Sequence, residues 1–351
     1  MKTRVFVPGD RGLAQSPPAC VVCCTPVGCR SKWLSTELAQ LDRQWYFYHD
    51  EPKAPRARWQ RSRRLAAIRA SWQAIATAKR HHADLLITGR ANLTFWCAFF
   101  ALVQRVHVTH FAVSFHLRQL PRGLNFLWAQ WVYGTVQKLI IHSRAERQLY
   151  SEYFGIPPGR FEMQHAAGDL PTYAPDYPLE AADYICAIAR SPQDFATLLA
   201  AIAHLPHIPL VIATPYHHWL GPRRPPNVKL HTRCSTATIM NLLKFSRFLV
   251  MPLHPHQDLC DYGLLVAAMQ LGKAIVTTDS LAVSDYAFQD SNAVLYPARN
   301  VAALTHSLAE LWRDVLKSEV LGQNGQEYAQ AFCSQASTRK YYQRLLARHG
   351  I

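Results

Sequence analysis

Short apolar runs alternate with stretches of helical period along the whole chain. In the first half the runs are Val5–Val7, Cys20–Cys24, Trp45–Tyr48, Asp84–Thr88, Val106–His110 and Leu139–His142. Runs of this length, separated by amphipathic segments, predict βαβ units around a parallel sheet. Between two of them, Leu65, Ile68, Trp72 and Ile75 recur at spacings of three and four, among Arg61, Arg63, Arg64, Arg69, Lys79 and Arg80. That period predicts a helix with one apolar and one basic face.

The second half repeats the alternation, with strands expected at Tyr184–Ile188, Pro209–Ala213, Val228–His231, Phe248–Met251 and Ala274–Thr277. Ser235 is placed to cap a helix that buries Ile239, Leu242 and Leu243. A second helix follows Asn300, with Val301, Leu304, Leu308, Leu311 and Leu316 in phase. Gly272 stops the helix Leu264–Leu271 and sends the chain straight into a strand, as a glycine just past a helix end allows.

Residues 168–182 carry three prolines and no period, which marks a linker. The expected organisation is therefore an α/β chain of two Rossmann-like domains with a cleft between them: 1–170, a linker 171–182, 183–330, and a last helix at 331–351 that can pack back on the first domain. A length of 351 residues suits two such domains.

Charge changes this picture most. Residues 1–170 carry 23 basic and 10 acidic side chains, leaving 15 and 13 for the remainder. Nearly all of the net charge of +15 thus belongs to the first half. Such asymmetry implies an anionic partner, and a solvated basic face is the plain alternative. Nucleic acid is the least favoured partner, because no RNA- or DNA-binding motif accompanies the basic residues.

Other classes are disfavoured in turn. The apolar run before Pro8 is only the three residues Val5–Val7, so a signal-peptide core is not expected. The stretch Phe95–Val103 is about half of a bilayer span. Cys20, Cys23 and Cys24 lie in a buried-strand pattern with Cys29 nearby, and no second ligand pair follows, so no metal site is expected and the thiols read as reduced and cytosolic. Pro8–Gly12 lacks the spacing of a dinucleotide loop, which disfavours a nicotinamide enzyme.

After the strand Phe248–Met251 a polar loop containing Asp258 and Asp261 opens a helix whose first amides, around Tyr262, Gly263, Leu264 and Leu265, could receive a diphosphate or sugar hydroxyls. This segment resembles the signature of glycosyltransferase family 4, retaining enzymes of the GT-B fold. Ala268–Asp279, reading AMQLGKAIVTTD, matches the tail of that signature. In its head, Asp261–Leu264 matches with one deletion, and Ala267 stands where the family has its second Glu.

The family resemblance implies further roles. Arg190 falls on the arginine that neutralises the diphosphate, and a guanidinium suits two phosphate oxygens; an ion pair with Asp194 is the structural alternative. His110, at the expected end of a strand, resembles the histidine near the transferred sugar, with His116 as competitor. Thr232 and Arg233, after Val228–His231, would meet the base.

The implied reaction is transfer of a hexose, with retention and without a metal or other cofactor, from a nucleoside-diphosphate sugar to a saccharide or lipid-linked acceptor, in polysaccharide or glycoconjugate synthesis. His110, Arg190 and Asp261 are the expected catalytic residues. The basic run Lys53–Arg64 and the aromatic stretch Phe126–Tyr133 suggest contact with anionic lipid, hence a cytoplasmic protein peripheral at the inner face of the membrane. Two alternatives stay open: a catalytically silent GT-B module, motivated by Ala267, and a nucleotide-sugar epimerase, which usually needs several cleft acids.

Overall fold

The computed structural model describes residues 20–26, 44–50, 59–117, 119–167, 176–180, 183–189, 193–215, 220–221, 224–255 and 260–348, with side chains in the first helix from Arg64 onward. The expected strand Val5–Val7, most of the basic run Lys53–Arg64, Arg190 and Asp258 lie outside them. The chain forms two compact units, Met1–Gln164 with Arg339–Ile351, and His165–Thr338.

Unit 1 contains β1 (Cys20–Thr25), β2 (Gln44–His49), α1 (Trp59–Arg80), β3 (Leu85–Gly89), α2 (Ala91–Gln104), β4 (Thr109–Val113), α3 (Leu124–Tyr133), β5 (Lys138–Ile141), α4 (Arg144–Phe154) and β6 (Phe161–Met163). Its strands pair in parallel, in the order β2-β1-β3-β4-β5-β6. Strands such as Cys20–Thr25 and Leu85–Gly89 are buried at every position. Continuous apolar strands are the mark of a parallel sheet covered on both faces.

One face of this sheet packs Val22, Cys24 and Leu86 under α1 and α2. The other packs Val21, Ile87, Phe111 and Ile140 against Tyr342, Leu345 and Leu346 of the last helix, α10 (Gln335–Arg348). Each of these three side chains stabilises by about 1.5–3 kcal/mol on burial.

Unit 2 contains β7 (Ile185–Ile188), α5 (Phe195–Ala203), β8 (Leu210–Ala213), β9 (Val228–His231), α6 (Thr236–Lys244), β10 (Phe248–Met251), α7 (Tyr262–Gln270), β11 (Ala274–Thr278), β12 (Ala293–Tyr296), α8 (Val301–Arg313) and α9 (Val315–Phe332). The sheet is again parallel, ordered β12-β11-β10-β7-β8-β9. This is the doubly wound order of a dinucleotide-type fold, with its reversal between β7 and β10.

Gly272 ends α7 as expected, with φ +65°. Its amide donates to the Met269 carbonyl (2.9 Å) and the Lys273 amide to that of Ala268 (2.9 Å), which completes a Schellman motif. A Cβ on Gly322 would lie 2.0 Å from the Gly272 carbonyl oxygen, so the turn and α9 meet backbone to backbone.

Three elements differ from the pattern-based expectation. The apolar face of α1 is not the Leu65–Ile75 stripe: Ala67, Ala70, Ala74, Ile75 and Ala78 form the buried face, whereas Leu65 and Trp72 are exposed. Small alanines let α1 lie close on the strands, and the larger side chains turn outward. Leu316 is also exposed, because α8 ends at Arg313 and Asp314 caps a new helix, breaking the phase. Finally, the strand expected at Val106–His110 runs instead from Thr109 to Val113. Arg105, in left-handed backbone at φ +52°, closes α2 before it.

Of the expected linker, residues 176–180 carry no helix or strand and lie on unit 2. Asp176 pairs with Lys244 (2.8 Å), Glu180 pairs with Lys229 (2.7 Å) and His231 (2.8 Å), and Asn241 Nδ2 donates to the Tyr177 carbonyl.

Candidate functional site

Ligands of open parallel sheets bind beyond the carboxyl ends of the strands, where the strand order reverses. In unit 2 that place is formed by the loops after β7 and β10. The Asp194 amide, after β7, donates to the Pro252 carbonyl, after β10 (2.9 Å). Thr277 donates its hydroxyl to the Met251 carbonyl (2.8 Å). Thr278 Oγ1 both accepts from the Leu253 amide (2.9 Å) and donates to its carbonyl (3.1 Å). The first residues of the loop carrying the family-like segment are thus fixed by the neighbouring strand.

Two acids here act as helix caps. Asp194 opens α5, accepting the Thr197 amide at Oδ1 (3.2 Å) and the Thr197 hydroxyl at Oδ2 (2.8 Å). Asp261 opens α7, accepting the Leu264 amide at Oδ1 (3.2 Å), while the amides of Leu264 and Leu265 also donate to its carbonyl (both 3.0 Å). A carboxylate at a helix N-terminus is stabilised by the helix dipole, so Asp261 already supplies the negative charge expected of a ligand there.

This changes the sequence-based site. The side chains of Tyr262, Leu264 and Leu265 are core, and Tyr262 stacks on Tyr286 (5.2 Å between ring centroids). Two of the four amides assigned to a diphosphate are used by Asp261, and Gly263 contributes backbone only. Thr232 and Arg233 are exposed just past β9, an edge strand. Gln193 is buried beside Asp194, and its Oε1 has no hydrogen-bond partner among the described residues. A buried amide oxygen left unpaired costs on the order of 1–3 kcal/mol, which a ligand hydroxyl or amide could recover.

In unit 1 the strand order reverses between β1 and β3. A Cβ on Gly89, the last residue of β3, would lie 2.9 Å from Pro26 Cδ, so the two strand ends are in close approach. Arg90 follows with φ +68° and ψ +145°, a conformation that normally requires glycine.

His110 bears on that strain. The Thr94 hydroxyl donates to the Arg90 carbonyl (3.0 Å), so Thr94 Oγ1 accepts the Thr88 hydroxyl (2.9 Å), and Thr88 Oγ1 accepts His110 Nε2–H (2.8 Å). Burial disfavours the charged imidazole and pushes the His110 pKa down to about 3. His110 sits second in β4, not at its end, and is buried. His110 thus lies within the strand and, through Thr88 and Thr94, connects to the Arg90 backbone.

The histidine beyond the carboxyl end of β4 is His116. Its Nδ1 lies 2.6 Å from Glu146 Oε1, and Glu146 is fully buried. A carboxylate only accepts, so the shared proton belongs to His116 Nδ1, which fixes the ring's orientation. Glu146 also accepts the His142 amide at Oε2 (2.6 Å) and the Tyr150 hydroxyl at Oε1 (3.2 Å). His142, at the end of β5, points its Nδ1 at the Gln164 carbonyl (3.0 Å). Next to the end of β1, Thr25 Oγ1 bonds His49 Nδ1 (3.1 Å), and Asp50 beside it is buried.

Sequence reasoning gave no role to Glu146, His142, Asp50 or Arg90. One signal was available: Ser143 and Glu146 have capping-box spacing, and Ser143 Oγ does accept the Glu146 amide (3.0 Å). The Glu146 carboxylate departs from the pattern by reaching His142 and His116. Among the described residues no cluster of His, Cys, Asp and Glu could hold a metal ion.

No protein-family model matches this chain, and neither does any curated protein. Solved structures do match in fold. HepE of Anabaena in complex with UDP-glucose superposes with a TM-score of 0.66 at 13% identity, over 94% of this chain and 99% of that one. Sucrose-phosphate synthase of Thermosynechococcus elongatus gives 0.63 at 13% identity, over 94% and 100%. A UDP-N-acetylglucosamine 2-epimerase gives 0.58 at 12% identity, over 95% and 97%. The chain therefore has the α/β fold of GT-B proteins, two parallel six-stranded sheets with their helices, along nearly its full length.

Proposed function

We propose that this protein transfers a hexose from a nucleoside-diphosphate sugar to a saccharide or lipid-linked acceptor, with retention at the anomeric carbon and without a metal. The observation that carries the reading is position: the segment resembling family 4, Asp261–Asp279, follows β10 at the strand-order reversal of the unit 2 sheet, where such folds take nucleotides. The matching structures include one with UDP-glucose bound, which supports a nucleotide sugar as donor.

In this reading Arg190, two residues past β7, and the loop containing Asp258 hold the diphosphate, and the guanidinium stabilises the charge that develops as it leaves. Gln193 Oε1 accepts a ligand hydroxyl or amide. Thr232 and Arg233 reach the base: β9 is two strands from β7, roughly 10 Å at ordinary strand spacing, which a nucleoside spans. On the acceptor side, His116 replaces His110 as the histidine near the transferred sugar, and Glu146 holds its imidazole in one orientation. The protein works in the cytoplasm, peripheral to an anionic membrane, in polysaccharide or glycoconjugate synthesis.

A panel of UDP, GDP, TDP and ADP sugars, scored by thermal shift and by sugar release, tests the donor. One donor should raise the melting temperature, and Arg190→Ala should abolish that rise. An unchanged shift in the variant would place the diphosphate elsewhere.

The epimerase reading gains from the buried carboxylates Asp50 and Glu146 in unit 1 and from the epimerase match. Product analysis without acceptor separates the two readings: an isomerised nucleotide sugar favours epimerisation, hexose appearing only on an added acceptor favours transfer.

A further inference from the structure

The outward turn of Leu65 and Trp72 is part of a larger feature of unit 1. Helices α1, α2 and α3 pack side by side in sequence order, α1 on α2 and α2 on α3. On α3, Leu124, Leu127, Trp128 and Trp131 recur at i, i+3, i+4 and i+7, one helical stripe, and are 77%, 56%, 51% and 53% exposed. The opposite side of α3 holds the buried Ala129, Val132 and Tyr133, and Phe126 stacks on Phe154. The aromatic stretch seen in the sequence is thus split: Phe126 and Tyr133 turn inward, and the two tryptophans turn outward.

Aromatic rings connect the three helices. Trp72 of α1 meets Phe100 of α2 edge-on (5.1 Å), Phe100 stacks with Trp96 (5.8 Å), and Trp96 meets Phe99 (5.9 Å). Phe99 then meets Trp128 of α3 (6.1 Å), which meets Trp131 (5.9 Å). Val103 at the end of α2 is also exposed. Phe100 is the buried link between these helices, and exposed apolar side chains grouped around it in this way are uncommon on a protein face that meets only water.

The charges around it have one sign. Between Glu51 and Glu146 the chain has 15 Lys and Arg and a single acidic residue, Asp84. Asp84 accepts the Cys20 amide (2.8 Å), next to the sheet. No Asp or Glu occurs in α1, α2 or α3. Arg64, Arg69, Lys79 and Arg80 on α1, Arg105 after α2 and Arg122 before α3 are exposed. Tryptophans with cations and no anions match a layer that is apolar within and phosphate-bearing at its surface.

We propose that the α1–α2–α3 face of unit 1 docks on an anionic bilayer, with Trp128, Trp131 and Leu127 seated at the acyl boundary and the arginines on lipid phosphates. No described helix is long and apolar enough to cross a membrane, so the contact lies on the bilayer. The docking rests on the membrane-peripheral part of the proposed function, names the face that would carry it, and is independent of the sugar-transfer part. It is measured without any nucleotide sugar, so failure of one leaves the other standing.

The test is co-sedimentation of the full chain with vesicles of phosphatidylcholine alone, or of equal parts phosphatidylcholine and phosphatidylglycerol, at low and high salt. Binding should require phosphatidylglycerol and weaken with salt. Trp128→Gln with Trp131→Gln should weaken it at least about tenfold, as loss of two interfacial aromatic anchors predicts. Leu316→Gln, on an exposed apolar residue of unit 2, should leave it unchanged. Because all three positions are exposed, circular dichroism and melting temperature should stay as in the parent. Equal binding by the tryptophan variant, equal binding to neutral vesicles, or self-association of the chain that depends on Trp128 and Trp131 in place of vesicle binding would each overturn the proposal.

Discussion

The two sheets are alike in having parallel strands but differ in what stands at their carboxyl edges. Among the described residues, the edge of unit 2 is a framework of backbone groups, with Thr277, Thr278 and the capping aspartates Asp194 and Asp261 turned to local structure. The edge of unit 1 gathers titratable side chains, His49, Asp50, His116, His142 and Glu146, two of them buried carboxylates. Such a division suits a protein in which one unit holds a ligand by fixed dipoles and the other supplies groups that orient or move a proton.

The largest effect should come from unit 1. Glu146→Ala strands the His116 ring, the His142 amide and the Tyr150 hydroxyl, and should cost about 3–5 kcal/mol by urea denaturation. Glu146→Gln should retain most of the stability and still lower any transfer rate, because an amide oxygen holds the imidazole more weakly. A small loss for Glu146→Ala would remove the asymmetry on which the comparison rests.

In unit 2 the comparable sensitivity is of backbone origin. Gly322→Ala would drive a methyl into the Gly272 carbonyl and should cost about 3 kcal/mol. A near-neutral result by thermal melting would show that the Schellman turn before β11 is looser than its hydrogen bonds imply.

The pH dependence should come from His110. Its folded pKa, about 3, lies below the ordinary 6.5, so only the unfolded chain takes up this proton between those values. Stability should therefore fall with acidification by up to about 1.4 kcal/mol per pH unit across that window, and be unaffected above it. His110→Gln should flatten this slope in denaturation measured between pH 4 and 7. The smallest effect is that of Thr277→Val, which removes one hydroxyl bond to Met251 from the framework of unit 2 and should cost about 1 kcal/mol.

Much of the architecture was legible because strands buried on both faces read as unbroken apolar runs. Gly272 and Ser235 were legible because left-handed backbone and helix caps demand particular residues. β6 and β12 were missed, being short edge strands without a long run. The Val106–His110 expectation slipped because the alternating residues before Thr109 have strand composition, and only the close of α2 at Arg105 fixes where the strand begins. That slip placed His110 at the sheet edge and left His116 as the lesser candidate.

The site was less legible than the fold, since its groups come from separate strand ends. Glu146 is 30 residues from His116 in sequence and 2.6 Å away in space. Asp261 looked like a ligand-binding acid, yet the same carboxylate serves the first turn of α7, and only the hydrogen bonds distinguish those roles. The stripe on α3 was hidden in a run apolar on all sides, where composition does not tell which face is outward.

The central claim is that the β7 and β10 loops of unit 2 hold a nucleotide sugar. Hydrogen–deuterium exchange of the full chain, with and without UDP-glucose and then the GDP, TDP and ADP sugars, tests it most directly. One donor should slow exchange in residues 189–198 and 252–265 and leave α3 unchanged. Exchange in those loops that no sugar nucleotide alters, with protection elsewhere or nowhere, would contradict the account.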